Sequence, residues 1–360
     1  MGGDTARSRW FDATTMSFAR LHIGHVIQPN SIGGCERHLT ELCRLQARQA
    51  KVTVFVGPGR DGGEAAARLC MGLETHANLH HFDGSAQGLA DCVARSAPDL
   101  LHAHLEPAER LVMSQARRPR IVTLHGTYYA HRHAAFDGIV RVANWQAGAM
   151  APEVAARATT ICNWVTPELD FQTREAARRA LGLDPDVTAV CAVGRFSHEK
   201  GFDTLIEAAA LPDLRAVMIV IFGTGAEETA LRAIAPSNVK FAGFRDDVRR
   251  YLKAFDGAVV PSRREAFGLQ LLEFMDAGLP VASTLAPGPL EILGRSHAFL
   301  APIDDAPALG RVIVGMLADA PRPVYDLSRF DPERQVAATL AFYQAILDGA
   351  YRASPATMPF

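Results

Sequence analysis

The feature that most constrains this chain is an alternation. Short apolar runs rich in β-branched residues recur, each followed by a longer stretch of helical pattern. "LHIGHVI", "KVTVFVG", "DLLHAH" and "RIVTLHG" come first; "TAVCAVG", "RAVMIVIFG", "VKFAG", "GAVVPS" and "LPVAS" come later. Runs of this kind, separated by helices and Gly-rich turns, predict parallel sheets covered by helices. The chain has 360 residues, and single cores stop growing at roughly 250–300 residues, so two such domains are expected. A polar helical stretch, "TPELDFQTREAARRALGLDPD", closes at Gly182 and Pro185 and separates the two sets. The boundary is expected near 165–187, giving an N-terminal domain over 18–168 and a C-terminal one over 169–330, with a cleft between them. Residues 331–350 read as an amphipathic helix with Asp331 as N-cap and Pro332 in its first turn. Residues 1–17 read as a disordered lead or expression remnant, with Met16 as an alternative start.

Composition narrows the partners. Hydrophobic residues make up 48% of the chain, charged residues 21%, and the net charge is −2, which suits a soluble globular protein with no pull toward nucleic acid. The six cysteines form no C-x-x-C pair, and a chain this long needs no staples. Reduced thiols and a cytoplasmic location are expected. The N-terminus shows no signal-type apolar region. The longest apolar run, Ala216 to Phe222, is too short to span a bilayer.

Three stretches carry chemistry. In "REAFGLQLLEFMDAGLP" a helix is predicted from near Phe267-Gly268 to a stop at Gly278 and Pro280. Its first amides are unpaired and form the positive end of the dipole, and a glycine there lets an anion approach the backbone. Glu265 precedes the helix and Glu273 lies two turns in. Either they meet a polar ligand, or Glu265 only complements the dipole and Glu273 is an exposed helix residue. In "VGRFSHEKGFDTLIEA" a strand ends at Gly194 and puts Arg195 and Lys200 on a loop. The chain has only four lysines among 37 basic residues, so a lysine at a strand end is informative. Arg offers a planar fork for phosphate and Lys a point charge; two solvated cations are the plain alternative. "IFGTGAEE" places Gly223 and Gly225 after a strand, but Glu228 stands where a dinucleotide fingerprint needs its third glycine. In the first half, Gly33-Gly34 opens a helix, as a ligand approach or a simple turn. His102, His104 and His125 sit at or near strand ends, where each alone is more often a packed or hydrogen-bonded histidine. No metal site is expected: no zinc spacing, Walker A loop or G-x-S-x-G elbow occurs.

Taken together, these motifs resemble the retaining glycosyltransferases of family 4. "EAFGLQLLE" with "AGLPV" is similar to that family's E-x7-E region, "VGRFSHEKG" to its G-R-x-x-x-x-K-G loop, and "FGTGAEE" to its G-x-G turn. "VKFAGFRDDVRRYL" is similar to its base loop and "PNSIGGCERHL" to its acceptor-side glycine loop, all in order across roughly residues 20–347. The resemblance implies the GT-B fold: two Rossmann-like α/β/α domains facing across a cleft, the first binding acceptor and the second nucleotide sugar, with the terminal helix crossing back to the first. It implies that Arg195 and Lys200 grip the donor diphosphate, assisted by amides near Phe267, Gly268 and Leu269. Gly194, Gly223 and Gly225 would line the donor site, Glu273 would bond the ribose, and Phe244-Arg245 would frame the base. Glu265 would contact the transferred sugar, Gly34 would approach the phosphates, and His125 would contact the sugar near the reacting carbon. Two departures stand out: "ICNWVTPEL" replaces an asparagine-glycine turn, and "PGPLE" replaces G-G-x-x-E.

The expectation is therefore a metal-independent transferase without cofactor. It would use a UDP- or GDP-linked sugar and a glycan or lipid-linked acceptor, in cell-surface polysaccharide or lipopolysaccharide synthesis. "QARRPRI" (115–121) could touch an anionic membrane surface peripherally, or be a solvated loop. Two alternatives remain: an epimerase or phosphorylase of the same architecture, and a silent nucleotide- or glycan-binding protein.

Overall fold

The computed structural model describes residues 18–29, 33–59, 63–115, 117–318 and 322–350. The expected lead over 1–17 and part of the "PNSIGG" loop lie outside the described residues. The chain divides into two units: one up to Cys162 that also takes the chain from Pro332 onward, and one over Asn163–Asp331.

Unit 1 holds a seven-stranded sheet. Its strands are β1 (His22–Ile27), β2 (Lys51–Val56), β3 (Asn78–His81), β4 (Leu100–His104), β5 (Arg120–Leu124), β6 (Gly138–Arg141) and β7 (Ala158–Thr160), in the order β3-β2-β1-β4-β5-β6-β7. Every pairing is parallel. Parallel strands buried on both faces need apolar residues at both parities, which explains the near-continuous runs. On one face Val26, Leu101, Ala103, Val122 and Leu124 join a core with Phe136 and Ile139. On the other, Ile27, Val54 and Val56 pack with Leu39 and Cys43 of the Gly34–Gln46 helix. The terminal Pro332–Leu347 helix belongs to this unit and buries Val336, Leu340 and Tyr343.

Unit 2 repeats the architecture with six strands: β8 (Ala189–Val193), β9 (Met218–Phe222), β10 (Val239–Gly243), β11 (Gly257–Val260), β12 (Val281–Thr284) and β13 (Leu300–Ala301). Their order is β10-β9-β8-β11-β12-β13, again all parallel. Its core joins Val190, Ala192, Ile219 and Ile221 to Leu205, Ile206, Leu309 and Ile313 of the flanking helices. Truncating one of these fully buried residues, as in Leu205→Ala, costs about 2–5 kcal/mol.

Both sheets reverse direction of growth beside their first strand, between β1 and β4 and between β8 and β11. Chains leaving the carboxyl ends there diverge and open a crevice, the preferred ligand position in open α/β sheets.

Candidate active site

In unit 2 the carboxyl edge is charged. β8 ends at Val193, and the loop beyond Gly194 carries Arg195 before a short 3-10 turn, His198–Lys200. Gly201 follows at φ 64°, and a Cβ there would stand 2.1 Å from the Pro261 carbonyl oxygen. Only glycine satisfies both conditions, so the loop must turn here. Arg263 ties this loop to the one after β11. It donates to both Asp203 carboxylate oxygens at 2.7 Å and to the His198 carbonyl at 2.8 Å. The Asp203 carboxylate raises its already high pKa.

That lock brings two predicted residues together. Lys200 Nζ donates to Glu265 Oε2 at 2.5 Å, and Gln270 Nε2 donates to the same oxygen at 2.9 Å. Arg195 is exposed, and its side chain takes no partner among the described residues. The predicted helix starts at Leu269, with Gly268 as N-cap at φ 103°. An L-residue in this left-handed region is strained by roughly 1–2 kcal/mol, so glycine is required whatever binds. Phe267 is buried, its ring edge-on to Phe330 at 5.8 Å, which leaves only its backbone facing outward chemistry.

Glu273 is buried, only 6% exposed, which rules out an exposed helix carboxylate. Gly223 and Gly225 are needed for packing: added Cβ atoms would lie 1.8 Å from the Gly194 carbonyl and 2.3 Å from the Phe196 carbonyl. Their glycine identity is thus accounted for by the neighbouring loop. Phe244 is 47% exposed beside Arg245, which pairs with Asp247 at 2.9 Å and lies 4.1 Å over the Tyr251 ring. The altered "PGPLE" turn opens a helix, Pro287–Leu293, and Gly288 N–H donates to the Glu265 carbonyl at 3.0 Å. A Cβ on Gly288 would meet that carbonyl at 2.7 Å. Gly288 and Gln270, neither singled out by motif reading, therefore hold Glu265 in place, and Arg263 braces the loop that carries Lys200.

In unit 1 the carboxyl edge is built of imidazoles. Gly34 begins the Gly34–Gln46 helix, and Glu36 accepts from the Gly33 N–H at 3.0 Å. His25 on β1, His102 and His104 on β4, and Thr123 on β5 with His125 just past its end share one sheet face by period 2. His25 Nδ1 lies 3.0 Å from His104 Nε2, and His104 Nδ1 lies 3.1 Å from His125 Nε2. His25 Nε2 meets Gln46 Oε1 at 2.8 Å. His102 bridges Tyr343 Oη at 2.5 Å and Thr123 Oγ1 at 2.7 Å. Burial lowers the pKa of His25 and of His125 to about 4, and of His102 and His104 well below the usual imidazole range.

Among the described residues two trios could hold a metal by proximity, His25-His102-His104 and Cys35-His104-His125, with ligand atoms within 4.8 Å of one another. The pattern was invisible as spacing because its members come from β1, β4, the Gly34–Gln46 helix and the end of β5, far apart in the chain. Every ring nitrogen of the first trio already has a hydrogen-bond partner.

Comparison with known proteins decides the family. Residues 32–188 match the family model described as Glycosyltransferase Family 4, and residues 188–319 that described as Glycosyl transferases group 1. The lipopolysaccharide core biosynthesis glycosyltransferase LpsE of Rhizobium meliloti (strain 1021) is 36% identical over 306 residues, 80% of this chain and 86% of that protein. The chain is a family 4 glycosyltransferase. The lipopolysaccharide core biosynthesis mannosyltransferase LpsB of the same strain is 27% identical over 194 residues, 48% of this glycosyltransferase and 55% of LpsB. Among solved structures, Anabaena HepE with UDP and glucose superposes at TM-score 0.71 and 20% identity, covering 92% of this chain and 99% of that one. WaaG, a glycosyltransferase involved in lipopolysaccharide biosynthesis, superposes at 0.62 and 19% identity, covering 91% and 98%. These likenesses establish the GT-B fold of the glycosyltransferase.

Proposed function

We propose that this family 4 glycosyltransferase moves a hexosyl group, with retention and without a metal, from a UDP- or GDP-linked sugar. The acceptor is a glycan or lipid-linked precursor of lipopolysaccharide-core type. The observation that carries this is the Lys200–Glu265 pair, its lysine on the same loop as Arg195, whose side chain takes no partner among the described residues, at the edge where the unit 2 sheet opens. Lys200 has three donors, so it can hold Glu265 and still meet a diphosphate oxygen. Arg195 and the amides at Phe267, Gly268 and Leu269 complete an anion site. Glu273 and Phe244-Arg245 bond the ribose and frame the base. Gly34 approaches the phosphates, and His125 contacts the transferred sugar. The names of the relatives LpsE and LpsB, and the UDP bound in HepE, support the acceptor class and the donor type.

In the reaction, the bond from the anomeric carbon to the phosphate oxygen breaks and its electron pair leaves with the diphosphate. An acceptor hydroxyl attacks on the same face and passes its proton to the departing phosphate. Glu265 orients the sugar hydroxyls and steadies positive charge at the ring. Its Oε2 is committed to Lys200 and Gln270, which suits this orienting role better than nucleophilic attack.

No helix among the described residues is long and apolar enough to cross a membrane. Peripheral contact through 115–121 rests on Arg117 and Arg118; residue 116 lies outside the described residues. Arg120 is taken by Asp137, at 3.2 Å from Nε, and by the Met113 carbonyl.

A thermal-shift panel of UDP, GDP, ADP and their sugars tests the reading. A true donor nucleotide at 100-fold over its dissociation constant adds about 2.7 kcal/mol. No shift with any nucleotide diphosphate would overturn it.

A further inference from the structure

The imidazoles of unit 1 form one continuous chain with a direction. Gln46, His25, His104, His102 and Tyr343 are all buried, at 0–1% exposure. The Gln46 carbonyl oxygen can only accept, so His25 must donate to it through Nε2–H. Neutral His25 then has a bare Nδ1, which must accept from His104 Nε2–H. Neutral His104 in turn has a bare Nδ1, which accepts from His125 Nε2–H. On the other side the Gln46 amide donates to Tyr343 Oη at 3.4 Å, Tyr343 donates to His102 Nδ1, and His102 donates to Thr123. Each buried group is satisfied once, with every ring neutral. Burial enforces that neutrality at physiological pH. With the Gln46 oxygen toward His25 every link runs the same way, and a buried chain satisfied throughout fixes its tautomers cooperatively.

We infer that Gln46, relayed by His25 and His104 and braced by Tyr343 of the terminal helix, is a positioning residue that holds His125 as its Nε2–H tautomer. His125 Nδ1, which takes no partner among the described residues, is thereby kept as a hydrogen-bond acceptor for a hydroxyl of the bound sugar. This rests on the proposed sugar contact of His125. A donor at that position would compete for the hydroxyl's lone pairs; an acceptor orients its proton. A cation bound by these imidazoles would displace protons that the chain needs for its direction.

The test is nitrogen NMR of protein labelled with 15N in the histidine rings, with His125 assigned from the His125→Asn variant. In the unsubstituted protein His125 should show a protonated Nε2 and a bare Nδ1. In Gln46→Leu both nitrogens should move to intermediate shifts, with His297 of unit 2 unchanged as a control. Turnover should fall about 10- to 100-fold, by analogy with losing the outer partner of a metal-ligating imidazole, with nucleotide affinity retained. Should Gln46→Leu fail to fold, Tyr343→Phe removes one hydroxyl and should average the His125 nitrogens in the same direction. A protonated Nδ1 in the unsubstituted protein, an unchanged His125 tautomer in the folded variant, or stoichiometric zinc bound by these imidazoles would overturn the inference. Full turnover in His125→Asn would instead remove the sugar contact, while the tautomer result, read without substrate, would stand or fall separately.

Discussion

The two units share a strand order and differ in what they place at its carboxyl edge. Unit 2 sets ions there: Arg195, Lys200 and Glu265, with Arg263 bracing the loops by ion pairs to Asp203 and Asp304. Unit 1 sets imidazoles there, His25, His104 and His125 bonded in series and His102 bonded to Tyr343 and Thr123, all kept neutral by burial. The same parallel scaffold thus supports two electrostatic solutions. Charges suit a diphosphate that leaves with a full negative charge. Neutral, directional hydrogen bonds suit sugar hydroxyls, where a buried charge would cost more in desolvation than it returned.

The strongest test of that contrast removes the carboxylate from the ionic edge. Glu265→Ala should lower turnover roughly 10²–10⁴-fold, because orientation and charge stabilisation both go. Glu265→Gln keeps the shape and part of the hydrogen bonding and should retain measurable activity. The product should keep the donor's anomeric configuration by NMR; a glycosyl adduct on Glu265 in intact mass spectra would mean that the carboxylate is a nucleophile after all.

Acid should separate the two units next. Unfolded His25 takes a proton below about 6.5, whereas folded His25 resists until about 4. Protons therefore favour the unfolded chain in that window, and stability falls as pH drops from 6.5 toward 4. For His25 alone the loss at pH 5 is roughly 2 kcal/mol. Hydrogen exchange, corrected for intrinsic rates, should show β1 and β4 losing protection between pH 7 and pH 5 while β8 and β11 keep theirs. Equal loss in both sheets would break the comparison.

Removing cations from the ionic edge should act on donor binding. Arg195→Ala and Lys200→Ala should each weaken nucleotide-diphosphate affinity on the order of tenfold, discounted for the exposure of Arg195. The double variant should lose more with its melting transition intact. Calorimetric affinity unchanged in the double variant would remove both residues from the site. The smallest expected effect is that of chelation: activity should survive EDTA, since cations and helix amides can neutralise the leaving group. Abolition by EDTA with recovery on one metal would refute the metal-free reading and send attention back to the histidine trios.

Much of this was readable before any coordinates. Alternating β-branched runs and Gly-bounded helices dictate parallel sheets, because such runs can only be buried on both faces. The helix start at Gly268 and the loop at Arg195–Lys200 followed from the same reasoning, since a glycine at a helix entry and cations past a strand end are local facts. His102, His104 and His125 were likewise legible as residues at or near strand ends, but each only as a lone histidine; the shared face came from the strand register. Partnerships across the chain were another matter. Glu265 is held by Gln270 of the helix that follows it, but also by Lys200, 65 positions away on the loop after β8, and by a backbone contact from Gly288 of the Pro287–Leu293 helix. Whether Glu273 faces solvent or core depends on what packs over its helix, and burial settled it. Gln46 and Tyr343, 297 positions apart, meet only because the terminal helix packs in unit 1. Strand order, too, is a property of pairing between distant runs, and it is the order β2-β1-β4-β5 that sets the imidazoles side by side. Local pattern decides which elements form, since periodicity and backbone preference act over a few residues. Which side chains then touch is decided by long-range packing, where the partners' separation along the chain leaves no trace in either segment alone.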